Sequence, residues 1–169
     1  MIQPYAHFWG MQNSTVAEVD AFYRDLTAGK PHAALMGEID GQPQCLIECY
    51  PVQDDPLREH YDVQPGDMGM HILLSPADKP VAGFSWQVFS AVMEYLFSQP
   101  DVKRVVVEPD VRNDKIHKLN KRAGFRYQKQ IQLTHKTAWL AFCQREDFIQ
   151  ASQKEKDIMT PSTLQTGQH

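Results

Sequence analysis

The chain has 169 residues, enough for one domain with a core of ordinary size. A formal net charge of -4 and a pI of about 5.9 carry none of the basic footprint of a general nucleic-acid binder. No apolar run is long enough to span a bilayer and no signal-peptide pattern follows Met1, so a soluble, reducing, cytoplasmic setting is expected, away from membranes and nucleic acid.

In chain order, Ser14-Thr15 followed by Val16, Val19, Phe22, Tyr23 and Leu26 reads as an N-capped amphipathic helix, closed near Gly29 and Pro31. Ala33–Ile39 and Gln44–Val52 flank Asp40-Gly41, a hairpin signal. Along the second strand Cys45, Ile47 and Cys49 share one side and Glu48 and Tyr50 the other. With Cys143 the odd thiol and no CxxC pair, buried free cysteines are expected, not a disulfide or a metal site. Asp54–Asp67 is polar, carries Pro56 and Pro65, and reads as a loop. Met68–Leu74 is a strand with Met68, Met70, Ile72 and Leu74 on one face and Gly69, His71 and Leu73 on the other.

After a loop at Pro76–Pro80, Gly83-Phe84-Ser85 opens the longest helix, running to about Ser98. Its two apolar stripes (Phe84, Val88, Ala91, Tyr95 and Trp86, Phe89, Met93, Phe97) predict burial on most sides. Lys103–Glu108 is the next strand. Asn113–Ala123 is a helix with Asn113 as cap and Gly124 just past its end. Strands Tyr127–Leu133 and Thr137–Cys143 follow, and the polar, aperiodic residues 151–169 are expected to be a tail without fixed structure, behind a domain over residues 1–150. This order predicts a mixed α/β sheet with ligands beyond the carboxyl ends of its central strands.

Several residues are candidates for chemistry. The helix start at Lys79–Trp86 offers N–H groups to an anion, although "KPVAGFS" also fits an ordinary loop entering a core helix. His71 is either a structural histidine or a general base, and Gly69 leaves its face open to something approaching the backbone. Glu108 and Asp110 flank Pro109, which ends a strand and leaves two carboxylates at its carboxyl end. Lys115, His117, Lys118, Lys121 and Arg122 fit a solvated cationic face.

Together, "NDKIHKLNKRAGF" and these segments resemble the GNAT superfamily of acyl-CoA N-acyltransferases. "HFWG" (7–10), "ECYPVQDDPLREHYDVQPGDMGMHILL" (48–74), "AGF" (82–84), "EPDVRN" (108–113) and "FCQREDF" (142–148) resemble more narrowly the acyltransferases that make hydroxamate siderophores of the aerobactin, alcaligin and rhizobactin kind. The resemblance implies a mixed central sheet with splayed central strands flanked by helices. It implies acetyl- or succinyl-CoA as co-substrate, no metal, and acyl transfer to the hydroxylamino nitrogen of an N-hydroxylated diamine or lysine. It implies His71 and Asp110 as the catalytic pair, and Trp9, Glu48, Tyr50 and Glu108 toward the acceptor. Ile72, Leu73 and Leu74 would meet the pantetheine arm, with Lys79, Gly83, Phe84, Ser85, Trp86 and Asn113 completing the cofactor side. A homodimer and a siderophore synthetase or hydroxylase are the partners it allows.

The chain departs from the family at three places. Pro80–Ser85 lacks the usual glycine-rich phosphate loop, Asn120 stands where many relatives have a tyrosine acid, and the first strand is expected to be absent or truncated. Acetylation of an ordinary amine is the alternative, since aminoglycoside 6′-acetyltransferases share the acid-Pro…Asn element. A non-catalytic acyl-CoA-binding module is the other.

Overall fold

The computed structural model describes residues 32–75 and 81–159, with Thr15, Ala17, Glu18, Ala21, Arg24 and Ala28 before them. Of the expected first helix, Ala17, Glu18, Ala21 and Arg24 are helical and Thr15 is its cap. The Glu18 backbone N–H donates to Thr15 Oγ1, and Glu18 Oε2 accepts from the Thr15 backbone at 2.7 Å, a reciprocal capping box. The rest of that helix, and any strand before it, lies outside the described residues.

Six strands form one sheet in the order β1-β2-β3-β4-β6-β5. β1 (Ala33–Ile39) and β2 (Gln42–Pro51) form the expected hairpin; Asp40 and Gly41 both have positive φ, as its tight turn requires. β3 (Asp67–Leu74) pairs antiparallel with β2 along nearly its whole length. β4 (Arg104–Val107) is parallel to β3, and the connection between them passes through α1 (Phe84–Ser98). Then come α2 (Asp114–Arg122), β5 (Arg126–Gln132) and β6 (Thr137–Gln144), the last inserted antiparallel between β4 and β5. α3 (Arg145–Met159) closes the described chain. Among the described residues no helix is long and apolar enough to cross a membrane.

The alternation read from sequence decides what each face meets. Cys45, Ile47, Cys49, Met70, Val105 and Val107 join Phe89, Met93, Leu96 and Phe148 in one core, under the helices. Val52, Leu57, Val106, Ile131, Ala138 and Leu140 form a smaller core on the opposite face. All three cysteines are buried and free.

Three expectations are corrected. The segment expected to be a plain loop contains two short 3₁₀ turns, Val52–Asp54 and Pro56–Glu59, pinned by buried Val52 and Leu57; Asp67 already belongs to β3. α1 is buried on one side only. Phe89, Val92, Met93, Leu96 and Phe97 face the core, whereas Ala91 and Tyr95 of the other stripe are exposed, and α3 is as long as α1.

The ordered chain also continues past residue 150 as α3. One aromatic anchors it, Phe148 stacked on Phe97 at 5.7 Å, and Arg122 Nε donates to Glu155 Oε1 at 2.7 Å. Arg145 donates to the carbonyls of Phe97, Gln99 and Val102 at the C-terminal end of α1, where a cation is favoured. Gly124 admits α3: it has φ +95°, and a Cβ there would lie 2.7 Å from the Asp147 carbonyl oxygen. Residues 160–169 of the expected tail lie outside the described residues.

Candidate active site

β3 and β4 part company early. They pair only at Asp67↔Arg104, Met68↔Val105 and Gly69↔Val106; beyond these, Met70 to Leu74 run on against β2 alone, and β4 stops at Val107. The closed end is held by Asp67, which accepts from Arg104 Nε at 2.7 Å, Arg104 Nη2 at 2.6 Å, Tyr61 hydroxyl at 2.9 Å and Gln64 N–H at 2.9 Å. From the open end a cavity of about 570 Å³ reaches between the strands, lined by residues of β2, β3, the β4 end, α2 and the 132–136 turn.

The β2–β3 register sets Glu48 opposite His71 and Tyr50 opposite Gly69, and Glu108 follows Val106 on the same face. His71 Nδ1 donates to Glu48 Oε2 at 3.0 Å and Nε2 to Glu108 Oε1 at 2.7 Å, with the Tyr50 hydroxyl 3.1 Å from Nε2. Ionised carboxylates only accept, so this geometry asks both ring nitrogens to carry protons. Burial opposes that charge, but Glu108 and then Glu48 outweigh it and hold the imidazole acid up to about 10. Burial would raise Glu108, yet His71 and Lys136, whose Nζ lies 3.4 Å away, pull it down to about 2. Glu48 Oε1 and Glu108 Oε2 are buried and have no hydrogen-bond partner among the described residues.

The space above Gly69, expected to admit an approaching group, is filled by Tyr50: a Cβ at Gly69 would lie 2.3 Å from Tyr50 Cε2. Tyr50 is 4% exposed and cannot easily move away. Gly69→Ala should therefore push the ring off His71 and lower stability by about 1–3 kcal/mol, the usual cost of overpacking. Urea unfolding checks this; a midpoint equal to that of the unsubstituted protein would mean that Tyr50 has room the structure does not show.

Asp110 is drawn elsewhere. Its Oδ1 accepts from the Arg112 backbone at 2.9 Å and from Nε at 2.8 Å, and Oδ2 accepts from Nη2 at 2.6 Å, which holds the carboxyl down at about 2. The structure thus brings Glu48, Tyr50, His71 and Glu108 together, and sets Asp110 on the cavity wall with its own arginine. Lys136 was not foreseen; a lone lysine in a turn carries no periodic signal. Asn113 caps α2, accepting from Ile116 N–H at 3.3 Å, and lines the cavity with Ile72. Leu73 and Leu74 continue the same strand. Gly83 caps α1 in the left-handed conformation without a side-chain bond to the first turn, followed by Phe84, exposed Ser85 and Trp86, whose ring lies 4.0 Å from the Arg122 guanidinium. Trp9 and Lys79 lie outside the described residues.

Asn120 is buried at the cavity wall. Its Nδ2 donates to the Tyr127 hydroxyl at 3.0 Å, which donates to His117 Nδ1 at 2.7 Å; His117 Nε2 faces the Val111 carbonyl at 3.3 Å and so must be the protonated nitrogen. No group of histidine, cysteine, aspartate and glutamate side chains suited to hold a metal ion occurs among the described residues.

A family model described as an acetyltransferase (GNAT) domain matches residues 1–133. The chain belongs to the GNAT family. The six-stranded mixed sheet with its splayed β3 and β4 is the GNAT fold. Among curated relatives, the N(6)-hydroxylysine O-acetyltransferase of Escherichia coli is 29% identical over 85% of this chain and 45% of its own length. The N-hydroxyputrescine acetyltransferase of Acinetobacter baumannii is 29% identical over 89% of this chain and 72% of its own. The chain thus spans about half the length of the first of these. Among solved structures, an uncharacterised protein from Bacillus halodurans superposes with a TM-score of 0.80 at 26% identity, over 91% of this chain and 79% of that one. The aminoglycoside acetyltransferase AAC(6')-Ib in complex with coenzyme A does so at 0.72 and 23% identity, over 86% and 84%, and shows the fold alone.

Proposed function

We propose that this GNAT domain transfers an acyl group, acetyl or succinyl, from acyl-CoA to the hydroxylamino nitrogen of an N-hydroxylated diamine or lysine, forming a hydroxamate for siderophore biosynthesis. The observation that carries the reading is the Glu48–His71–Glu108 cluster beside the opening between β3 and β4. Two relatives named for acetylation of an N-hydroxylated amine, the first as an O-acetyltransferase, match most of this chain and support the acceptor class. An N-hydroxylating enzyme would supply the acceptor and a siderophore synthetase would use the product.

The thioester arm would lie along the free edge of β3 at Ile72–Leu74, where the outward backbone N–H groups of Ile72 and Leu74 suit the developing oxyanion. The uncapped start of α1 at Gly83–Trp86 would face the pyrophosphate, and Asn113 would meet the arm from α2.

An alkylammonium must be deprotonated before it can attack, whereas a hydroxylamine is far less basic and arrives largely neutral. Once its nitrogen has attacked, the N–H is acidic enough for a carboxylate to accept it. Glu108, through its free Oε2, is placed for that; His71, already doubly protonated, orients the two carboxylates and balances their charge. Asp110 would order the wall through Arg112. The nitrogen–acyl bond forms as the carbon–sulfur bond breaks, and CoA leaves as the thiol after protonation from solvent, since Asn120 carries no acidic proton.

Release of CoA, measured across acetyl- and succinyl-CoA with N-hydroxyputrescine, N-hydroxycadaverine, N6-hydroxylysine and the parent amines, tests this. Turnover is expected with hydroxylamines and not with parent amines. Equal turnover of a parent amine would establish the second reading, ordinary amine acetylation, which the same carboxylates favour because they suit a polyammonium acceptor. Binding of acyl-CoA without turnover on any acceptor would overturn both.

A further inference from the structure

Resting on that reading, the cavity's charge bears on which acceptor class it takes. We infer that the acceptor is an N-hydroxylated diamine, carrying an ammonium and no carboxylate, in preference to an N-hydroxylated amino acid. Five carboxylates line the cavity: Glu48, Asp55, Glu59, Glu108 and Asp110. Among the described lining residues Lys136 is the one lysine and there is no arginine, and Lys136 already lies 3.4 Å from Glu108 Oε1.

Two carboxylate oxygens, Glu48 Oε1 and Glu108 Oε2, are buried without a donor among the described residues, on side chains 8% and 9% exposed. Such oxygens require N–H or O–H donors. The hydroxylamine supplies them at the reacting end, and the other lining carboxylates, Asp55 and Glu59 among them, suit a second amino group. An α-carboxylate would enter a wall of its own sign with no described, uncommitted cation to receive it, so the same residues that attract the diamine reject the amino acid.

The experiment compares steady-state rates, with one acyl-CoA, for N-hydroxyputrescine, N-hydroxycadaverine, N6-hydroxylysine and N-hydroxybutylamine, which has no charge at its far end. The diamines should exceed hydroxylysine in kcat/KM by about 10²-fold, and should exceed the butyl compound mainly through KM. In Asp55→Asn/Glu59→Gln, which keeps the acceptor oxygen that Leu57 N–H uses on residue 55, the diamine's KM should rise toward that of the butyl compound and its advantage should shrink. Hydroxylysine turned over as well as the diamines, or a butyl compound equal to them, would overturn the inference while leaving hydroxylamine acylation standing. No turnover of any of the four overturns that reading, and this inference with it.

Discussion

If the proposed acylation holds, turnover of an N-hydroxylated diamine should fall about 10²–10⁴-fold when Glu108 is replaced by glutamine, the usual range for loss of a positioned proton acceptor, while acyl-CoA should still bind. Glutamine keeps the outline of the side chain but cannot take a proton at Oε2, and it removes the stronger of the two charges that hold His71 in its cationic form. The sign of the pH effect follows. In the unsubstituted enzyme the imidazole keeps its extra proton up to about 10 and Glu108 stays ionised down to about 2. At saturating substrate the rate should show no limb from this pair across neutrality, and should fall on the alkaline side as His71 loses its proton. In Glu108→Gln the residual alkaline limb should move to lower pH. His71→Asn should abolish that limb. A Glu108→Gln enzyme with a near-normal rate and an unmoved limb would remove Glu108 from the chemistry and leave Glu48 as the acceptor to examine.

Asp67→Ala should cost about 3–5 kcal/mol of unfolding free energy, the range for removing one partner of a buried ion pair. The Asp67 side chain is 1% exposed and that of Arg104 18%. Without the carboxylate, the guanidinium, the Tyr61 hydroxyl and the Gln64 N–H lose their acceptor together. Arg104 would keep its stacking over Phe142, 4.4 Å from the ring centre, and its place 5.6 Å from that of Tyr61. Urea unfolding by circular dichroism reads the loss. A shift below about 1 kcal/mol would show that Tyr61 and Arg104 find other partners, and that the closed end of the strand pair does not depend on this carboxylate.

Most of the framework was legible because alternation and capping are local. Val105–Val107, the Asp40-Gly41 turn, Asn113 and Gly124 each declare their element within a few residues. α3 was not legible, since one buried aromatic, three carbonyls on Arg145 and ion pairs to distant residues replace an apolar stripe. The site divides the same way. Glu48, Tyr50 and His71 could be assigned to one face of their strands, but the pairing of Glu48 with His71 depends on a register between residues 23 apart in the chain. Asp110 and Glu108 look equivalent in sequence. Beyond Pro109, however, the chain takes up the edge of β6, through Trp139 N–H on the Pro109 carbonyl at 2.9 Å and the bridge of Asp110 to Ala138, and Arg112 claims the second carboxylate. A histidine read alone suggests titration near neutrality; between two carboxylates it does not titrate there.

The buried cysteines have a practical consequence for the bench. Burial pushes the Cys49 and Cys143 thiols up to about 12, and Cys45 is buried beside Gly37. Thiolate, not thiol, reacts with disulfide dyes, so Cys49 and Cys143 should remain silent at assay pH, and burial alone should shield Cys45 in the folded protein. A chromogenic disulfide reagent can then count free coenzyme A directly, with no background from the enzyme. The same reagent, added without any acyl donor, becomes a gauge of unfolding, because its colour would appear only as the sheet opens and the sulfurs reach water.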